Sequence, residues 1–184
     1  MRFTIAVVIL LALCAPLTAC KRSLSERDVR AFIDKADNAA RKRYAPEICE
    51  LRGENFKMKL TFQGDNRNVP PSEMEIGRSL YCRNAGSFAR LRQYELERHS
   101  IEIELAADRK TATVDAEYIE KMPFYDPNRS PPASPFDYVE VQILTSHDRS
   151  VVGIEGGDIV FLRTETETEQ ELVDKKSIPA LLTD

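Results

Sequence analysis

"NFKMKLTFQG", residues 55 to 64, is the stretch that decides the fold. Phe56, Met58, Leu60 and Phe62 alternate with polar neighbours, and a period of two is typical of a half-buried β-strand. The segment therefore predicts a strand with one face against a core. The stretches on either side of it have other periodicities, and they settle the class of fold.

The chain around this strand predicts three helices. The first lies in "SLSERDVRAFIDKADNAARKRY", residues 23 to 44, with Ser23 or Ser25 as the N-cap and a basic last turn. The second is short and begins at Pro46, and the third follows a loop and begins with a capping box formed by Ser72 and Glu75. The apolar residues expected on these helices are Val29, Phe32, Ile33, Ala36, Ala40, Ile48, Leu51, Met74, Tyr81 and Phe88.

The second half of the chain predicts strands. The apolar face changes from even positions, at Leu96, to odd positions, at Ile101 and Ile103, which predicts a bulge near His99. A turn at residues 107 to 110 leads into a strand over 111 to 122, and two more strands are predicted over 137 to 146 and 157 to 172. The Pro-rich stretch from 123 to 135 is predicted to be a long exposed loop.

Helices followed by about four antiparallel strands predict an α+β domain and exclude an alternating parallel sheet. The order of elements over residues 24 to 172, with "ENFKMKLTFQG" between helices, resembles the nuclear transport factor 2-like group, also called the polyketide cyclase and ketosteroid isomerase-like fold. A cystatin-like relative is the near alternative. The resemblance implies N-terminal helices packed on a curved antiparallel sheet, a cone-shaped domain, and an interior cavity.

Enzymes of that group carry an acidic base and a Tyr or Asp donor in the cavity. The resemblance makes Tyr44, Tyr81, Tyr94 and Tyr118 candidate cavity residues. A tyrosine on an apolar face is more often part of the core, with its hydroxyl satisfied at the edge. No acid–base pair can be named by position, so the sequence predicts no catalytic residue and leaves enzymatic activity undecided, with a non-enzyme favoured.

The N-terminus predicts an exported protein. Residues 1 to 19 are interpreted as a signal peptide, because the apolar run after Arg2 falls short of the roughly twenty residues of a bilayer span. The segment Leu17-Thr18-Ala19-Cys20 resembles the bacterial lipoprotein box. That resemblance implies cleavage before Cys20, attachment of lipid with several acyl chains (palmitate) to Cys20, and, because Lys21 follows, sorting to the outer membrane. An ordinary signal peptide and a retained membrane anchor are the alternatives.

This interpretation divides the chain into the signal peptide, a lipidated tether over 20 to 23, one α+β domain over 24 to 175, and a tail over 176 to 184. Cys49 and Cys82 remain in the exported domain and are predicted to form a disulfide bond. A redox-active or nucleophilic cysteine is the competing hypothesis. His99 and His147 are the only histidines and have no partner at metal-ligand spacing, so we expect no metal and no cofactor.

"TETETEQE", residues 164 to 171, predicts a strand with threonines on one face and four glutamates on the other. Such a row is usually the solvated face of an edge strand, which it protects from pairing with other chains. The alternative is an acidic docking surface made by Glu165, Glu167, Glu169 and Glu171. Phe124 and Tyr125, in the Pro-rich stretch, are the second candidate contact with a partner.

The net charge of −4 gives no indication of nucleic-acid binding. We therefore expect a lipoprotein on the periplasmic face of the outer membrane that acts as a non-enzymatic protein-binding module. One specific form of this hypothesis is an immunity protein against a toxin that acts in the periplasm. The alternatives are a small-ligand-binding or isomerase-like protein that uses the cavity, and an accessory subunit of an envelope machine.

Overall fold

The computed structural model describes residues 23–65, 71–91, 93–124 and 140–174. The described residues form an α+β fold with few helices and one six-stranded sheet. The elements are α1 (Glu26–Arg41), α2 (Ala45–Glu50), β1 (Arg52–Asp65), β2 (Ser72–Gly77), α3 (Arg78–Phe88), β3 (Glu95–Leu105), β4 (Thr111–Phe124), β5 (Glu140–Glu155) and β6 (Asp158–Asp174).

Local sequence fixes both ends of α1. Ser25 is its N-cap: the Ser25 hydroxyl accepts a hydrogen bond from the Asp28 backbone N–H, and the Asp28 carboxylate accepts one from the Ser25 backbone N–H, each at 3.2 Å. At the other end Arg43 adopts a φ of 53°, and the Tyr44 backbone N–H donates to the Ala39 carbonyl at 3.0 Å. The chain therefore leaves the helix in a tight reversal.

The order of the strands in the sheet is β2-β1-β6-β5-β4-β3. All neighbouring pairs are antiparallel except β1 and β6, which are parallel. The prediction of an antiparallel sheet was therefore wrong for this one pair. The reason is topological: β1 and β6 are far apart in the chain and are not joined by a hairpin turn, which would force them to run antiparallel.

The start of the predicted third helix is a strand. Ser72 and Glu75 do not form a capping box; they lie in β2, where Leu60 of β1 is opposite Met74 and Met58 is opposite Ile76. Pairing with β1 supplies backbone partners that a local capping signal cannot compete with. The helix α3 begins only at Arg78.

Two other predictions about the strands can be compared with the sheet. The bulge near His99 is confirmed, because the pairing of β3 with β4 shifts register between Arg98 and Ser100. The strand predicted to end at residue 146 instead continues to Glu155, and the turn that follows uses Gly156 and Gly157 at φ values of 59° and 94°. Positive φ is the conformation that glycine adopts without strain.

Buried residues of the helices and of the sheet form one hydrophobic core. The rings of Phe32 in α1 and Phe161 in β6 pack with their centroids 4.8 Å apart. The disulfide between Cys49 and Cys82 is confirmed: it joins α2 to α3 with the two Cα atoms 5.1 Å apart. Among the described residues, no helix is both long enough and apolar enough to cross a membrane.

The acidic strand is not at an edge. Strand β6 lies between β1 and β5, so the interpretation of its glutamates as protection for an edge strand was wrong. The two faces are as predicted: Thr164, Thr166 and Thr168 are buried, whereas Glu167 and Glu169 are exposed. Edge position depends on which strands pair, and that is set by the tertiary fold.

Candidate functional site

A small cavity lies between α1 and the inner face of the sheet, the face that carries the buried threonines. Its volume is about 70 Å³. Six of the residues that line it are apolar, among them Ile33, Phe56 and Val114, and the other six are polar. The polar residues that line it are Arg52, Tyr81, Tyr118, Asp148, Ser150 and Thr164.

Asp148 is the carboxylate of this cavity. It lies on β5, opposite Ala116 of β4 on one side and Thr166 of β6 on the other. Burial raises the pKa of Asp148 from its ordinary value of 3.8 to about 6, and Glu120 adds to the effect, while Thr166 and Arg52 oppose it. An acid with such a pKa exchanges its proton near neutral pH.

One oxygen of this carboxylate lacks a hydrogen-bond partner. Asp148 as a residue keeps some exposed surface, but its Oδ1 atom is inaccessible to solvent and unpaired. Thr166 Oγ1 is near enough to lower the pKa of Asp148, yet it does not meet hydrogen-bond geometry and is itself unpaired. Buried polar atoms in native proteins are nearly always satisfied, by the protein, water or a ligand.

Arg52 provides the positive charge in the cavity wall. Its Nη2 donates to the Tyr81 hydroxyl at 2.6 Å. The guanidinium carbon lies 4.2 Å from the centre of the Phe161 ring and 4.6 Å from that of Tyr81, both within cation–π range. Its Nε and Nη1 atoms are buried without a hydrogen-bond partner. The aromatic rings thus hold the cation near Asp148 without neutralising it by an ion pair.

A second polar group lies between α1 and β3. Arg98, the residue just before the bulge, pairs with Asp37 at 2.8 Å and with Asp34 at 2.5 Å. Burial raises the pKa of Asp37, and Arg98 opposes that effect. Burial also raises the pKa of Tyr118, as does the nearby Asp37. Tyr118 therefore connects this group to the cavity that it lines.

A third polar pair lies farther along the inner face. The Tyr94 hydroxyl donates to Glu120 Oε1, and the Phe88 ring packs edge-on against Tyr94 with centroids 4.6 Å apart. Burial raises the pKa of Glu120, and the hydrogen bond from Tyr94 opposes it. The interior thus holds three carboxyl groups with raised pKa values, Asp148 and Glu120 on the sheet and Asp37 on α1.

The four tyrosines proposed for the cavity have different environments. Tyr81 and Tyr118 line it, and Tyr94 lies beside it on Glu120. Tyr44 does not contribute, because it is 56% exposed. The reversal at Arg43 carries Tyr44 out of α1 to the start of α2, away from the inner face.

Sequence reasoning missed the charged residues of the interior. Asp148 has the same parity on β5 as Ser146, Ser150 and Val152, all of which are buried, so a strand predicted through residue 155 would have revealed an inward-facing carboxylate. Glu120 likewise shares parity with Val114, Ala116 and Tyr118 on β4. For Arg52 the local signal is insufficient, since Phe56 alone of its aromatic neighbours lies on the same strand, whereas Tyr81 and Phe161 come from α3 and β6.

The outer face of the sheet, opposite the helices, carries the acidic row. Glu165 is paired with Arg163 and lies between Lys59 of β1 and Arg149 of β5. Glu167 and Glu169 instead lie opposite His147 and Thr145 of β5. These two glutamates line a shallow groove of about 400 Å³ together with Gln63, His99, Glu117 and His147.

Some predicted residues cannot be placed at either site. Cys20 and Tyr125 lie outside the described residues, and Phe124 is the last residue of β4, where only its backbone is described. Within the described ranges, no three His, Cys, Asp or Glu side chains are grouped so that they could hold a metal ion.

No protein-family profile matches the chain. No curated protein matches it either.

Solved structures show the fold. A putative scytalone dehydratase from Novosphingobium aromaticivorans superposes with a TM-score of 0.55 at 15% identity, covering 77% of this chain and 82% of the other. A hexachlorocyclohexane dehydrochlorinase of the LinA type from Novosphingobium barchaimii has a TM-score of 0.56 at 9% identity, covering 86% of this chain and 100% of the other. An NTF2-like protein of unknown function from Pseudomonas putida has a TM-score of 0.50 at 12% identity, covering 77% of this chain and 84% of the other. The chain therefore has the nuclear transport factor 2-like fold.

Proposed function

We propose that this protein is a lipid-anchored envelope protein that binds a small polar molecule in the cavity between Asp148 and Arg52. The single observation that carries the proposal is that these two groups of opposite charge line one cavity and each keeps buried polar atoms without a partner. In the proposal the helices and the curved sheet enclose a cone, and the cavity is its narrow end.

The size of the cavity limits the ligand. Its volume of about 70 Å³ is well below the roughly 300 Å³ at which drug-sized ligand pockets begin. The bound molecule, or the part of it that enters the cavity, therefore has only a few heavy atoms.

The chemistry of the wall defines what that molecule must offer. It needs a donor for Asp148 Oδ1 or, when Asp148 is protonated, an acceptor, and it needs an acceptor for Arg52 Nη1 or Nε. A carboxyl group with a pKa near 6 is also suited to act as a general base near neutral pH. Proton transfer is therefore the reaction class that this site would support. The proteins with similar folds include a putative scytalone dehydratase and a hexachlorocyclohexane dehydrochlorinase.

The binding proposal is tested by nuclear magnetic resonance with small probes. Acetate, acetamide, imidazole and ethanol are titrated into labelled protein, and the amide signals of Val114 and Ala116, which line the cavity, are followed. At least one probe should shift them in the wild type and in the matched control Asp115→Asn, and fail to do so in Asp148→Asn. If none of the probes shifts these signals, or if Asp148→Asn responds as the wild type does, the cavity is not a ligand site.

The anchoring part of the proposal rests on the lipoprotein box. Cys20 would carry the lipid, and several acyl chains at roughly 0.8 kcal/mol per buried methylene would make attachment to the outer membrane effectively permanent. Mass spectrometry of the processed N-terminus tests this. A Cys20→Ser protein that is still lipidated, or a wild-type chain cut at another residue, would contradict it.

A second candidate function is favoured by the outer face. Glu167 and Glu169 lie on a central strand, opposite residues without a fixed positive charge, and both line the shallow groove. Unneutralised carboxylates on a broad sheet face would attract a basic protein and raise its rate of association. In this second proposal the domain captures a basic partner in the periplasm, as an immunity protein for a toxin or as an accessory subunit of an envelope machine would.

The second candidate is tested by charge reversal. We expect the double variant Glu167→Lys with Glu169→Lys to keep its stability within about 0.5 kcal/mol per site and to lose partner capture, most clearly at low salt. The matched control is Glu102→Lys with Glu104→Lys, which reverses two exposed charges on the edge strand β3. If both pairs of substitutions recover the same bound proteins as the wild type, the acidic row is only a solvated face.

A further inference from the structure

The chain enters the domain at one defined place. Leu24 is 1% exposed, and its backbone N–H donates to the Arg109 carbonyl at 2.7 Å. Arg109 lies in the turn between β3 and β4, where it adopts a φ of 53°. Leu24 is thus fixed to the β3–β4 turn by a buried side chain and a backbone hydrogen bond, directly before α1 begins.

The β3–β4 turn marks one end of the sheet. Thr111, which follows it, pairs with Gly153 of β5, so the β5–β6 turn at residues 156 and 157 lies at the same end. The opposite end carries Glu95 at the start of β3 and its partner Lys121 on β4. The eleven steps from Lys110 to Lys121, at roughly 3.3 Å each, separate the two ends by roughly 35 Å of strand.

The segment between the proposed lipid and the domain is very short. Cys20 and Leu24 are four steps apart in the sequence, and an extended chain spans at most about 3.6 Å per step, so roughly 14 Å separates them at most. This reach is less than half the length of the strands. If the opposite end of the sheet faced the bilayer, a lipid on Cys20 could therefore not reach the membrane.

We propose that the end of the domain with the β3–β4 turn rests on the phospholipid headgroups of the membrane, and that the end with Glu95 and Lys121 points away from it. This inference rests on the proposed lipid at Cys20. Arg109 and Lys110, both exposed at this end, provide basic side chains for an anionic surface, and the sequence of the tether adds Lys21 and Arg22.

Acidic residues also lie at this end: Glu26 and Asp28 are exposed in the first turn of α1, and three more lie in or beside the two turns. Asp108 is engaged locally, because its Oδ1 accepts from the Lys110 backbone N–H at 3.0 Å. Glu155 points back onto β1, where its Oε2 accepts from the Glu54 backbone N–H at 2.9 Å. Asp158 is exposed at the start of β6. The basic residues therefore do not outnumber the acids at this end, and the proposed orientation rests on the shortness of the tether.

The test uses the full lipidated chain on vesicles of phosphatidylethanolamine with a minority of phosphatidylglycerol and a headgroup-chelated gadolinium lipid. A fluorine tag is attached at Lys110→Cys in one protein and at Glu95→Cys in another. Paramagnetic relaxation falls with the sixth power of distance, so the tag at residue 110 should relax at least an order of magnitude faster than the tag at 95. A long Gly-Ser insertion between Ser23 and Leu24 should bring the two rates close together.

The outcomes separate the orientation from the anchor. If mass spectrometry finds lipid on Cys20 and the two tags relax equally, or the tag at 95 relaxes faster, the orientation is overturned while the anchor stands. If no lipid is found and the protein does not sediment with the vesicles, the anchor itself fails and the orientation fails with it. Unlipidated Cys20→Ser protein gives the background rate at both positions.

Discussion

The raised pKa of Asp148 makes the stability of this protein depend on pH in a defined direction. The pKa in the folded protein is about 6 against an ordinary value of 3.8, so the folded state holds the proton more tightly than the unfolded chain does. Stability contributed by this group is therefore complete below about pH 4 and is lost as the pH rises to about 6. The two pKa values differ by about 2.2, and each pH unit is worth about 1.4 kcal/mol, which gives about 3 kcal/mol.

Asp148→Asn should remove this dependence, because the amide has nearly the same shape and never ionises. We expect the free energy of unfolding of the wild type, minus that of Asp148→Asn, to fall by about 3 kcal/mol between pH 3.5 and pH 8. Urea denaturation of both proteins across this range measures it. Because both proteins contain Glu120 and Asp37, whose pKa values are also raised by burial, their contributions largely cancel in the difference.

Asp115→Asn is the matched control, since Asp115 lies on the outer face of the neighbouring strand with Arg149 at 4.0 Å. The difference in free energy of unfolding between the wild type and Asp115→Asn should vary with pH by no more than about 0.5 kcal/mol. A wild-type minus Asp148→Asn difference that stays constant within about 1 kcal/mol would refute the reasoning. So would a carbon-13 titration of the Asp148 carboxyl with a midpoint below pH 5, because the cavity would then be well solvated.

Two other changes probe the framework around the site. Replacing both Cys49 and Cys82 by Ala should lower the free energy of unfolding by about 3 to 4 kcal/mol in the chain-entropy treatment of a 33-residue separation, and a loss under about 1 kcal/mol in denaturant melts would contradict it. Arg98→Ala should lower the free energy of unfolding by about 3 kcal/mol, because it removes the guanidinium that pairs with the buried Asp37 carboxylate. Arg30→Ala, which removes an exposed pair on α1, should lower it by less than about 1 kcal/mol. Equal losses in the same melts would show that the Asp37 pair is not buried in solution.

Much of the fold could be predicted because its signals are local. The Ser25 cap of α1, the alternation around Phe56 and the change of parity at His99 each depend on residues close together in the chain. The strand β2 could not be predicted, because its capping-box pattern at residues 72 to 75 is a local signal for helix that pairing with β1 overrides. The parallel neighbours β1 and β6 were unpredictable for the same reason, since their residues are about a hundred positions apart.

The candidate site also combines features that the local sequence predicts with features that depend on the tertiary structure. By itself the sequence determined an α+β chain, a pair of cysteines suited to a disulfide, and a strand with threonines on one face and glutamates on the other. Only the tertiary structure decided that the threonine face turns inward and that Asp148 and Arg52 line one cavity there. Periodicity tells which residues share a face, whereas the partner of a buried charge comes from a distant strand, and burial beside that partner is what shifts its pKa.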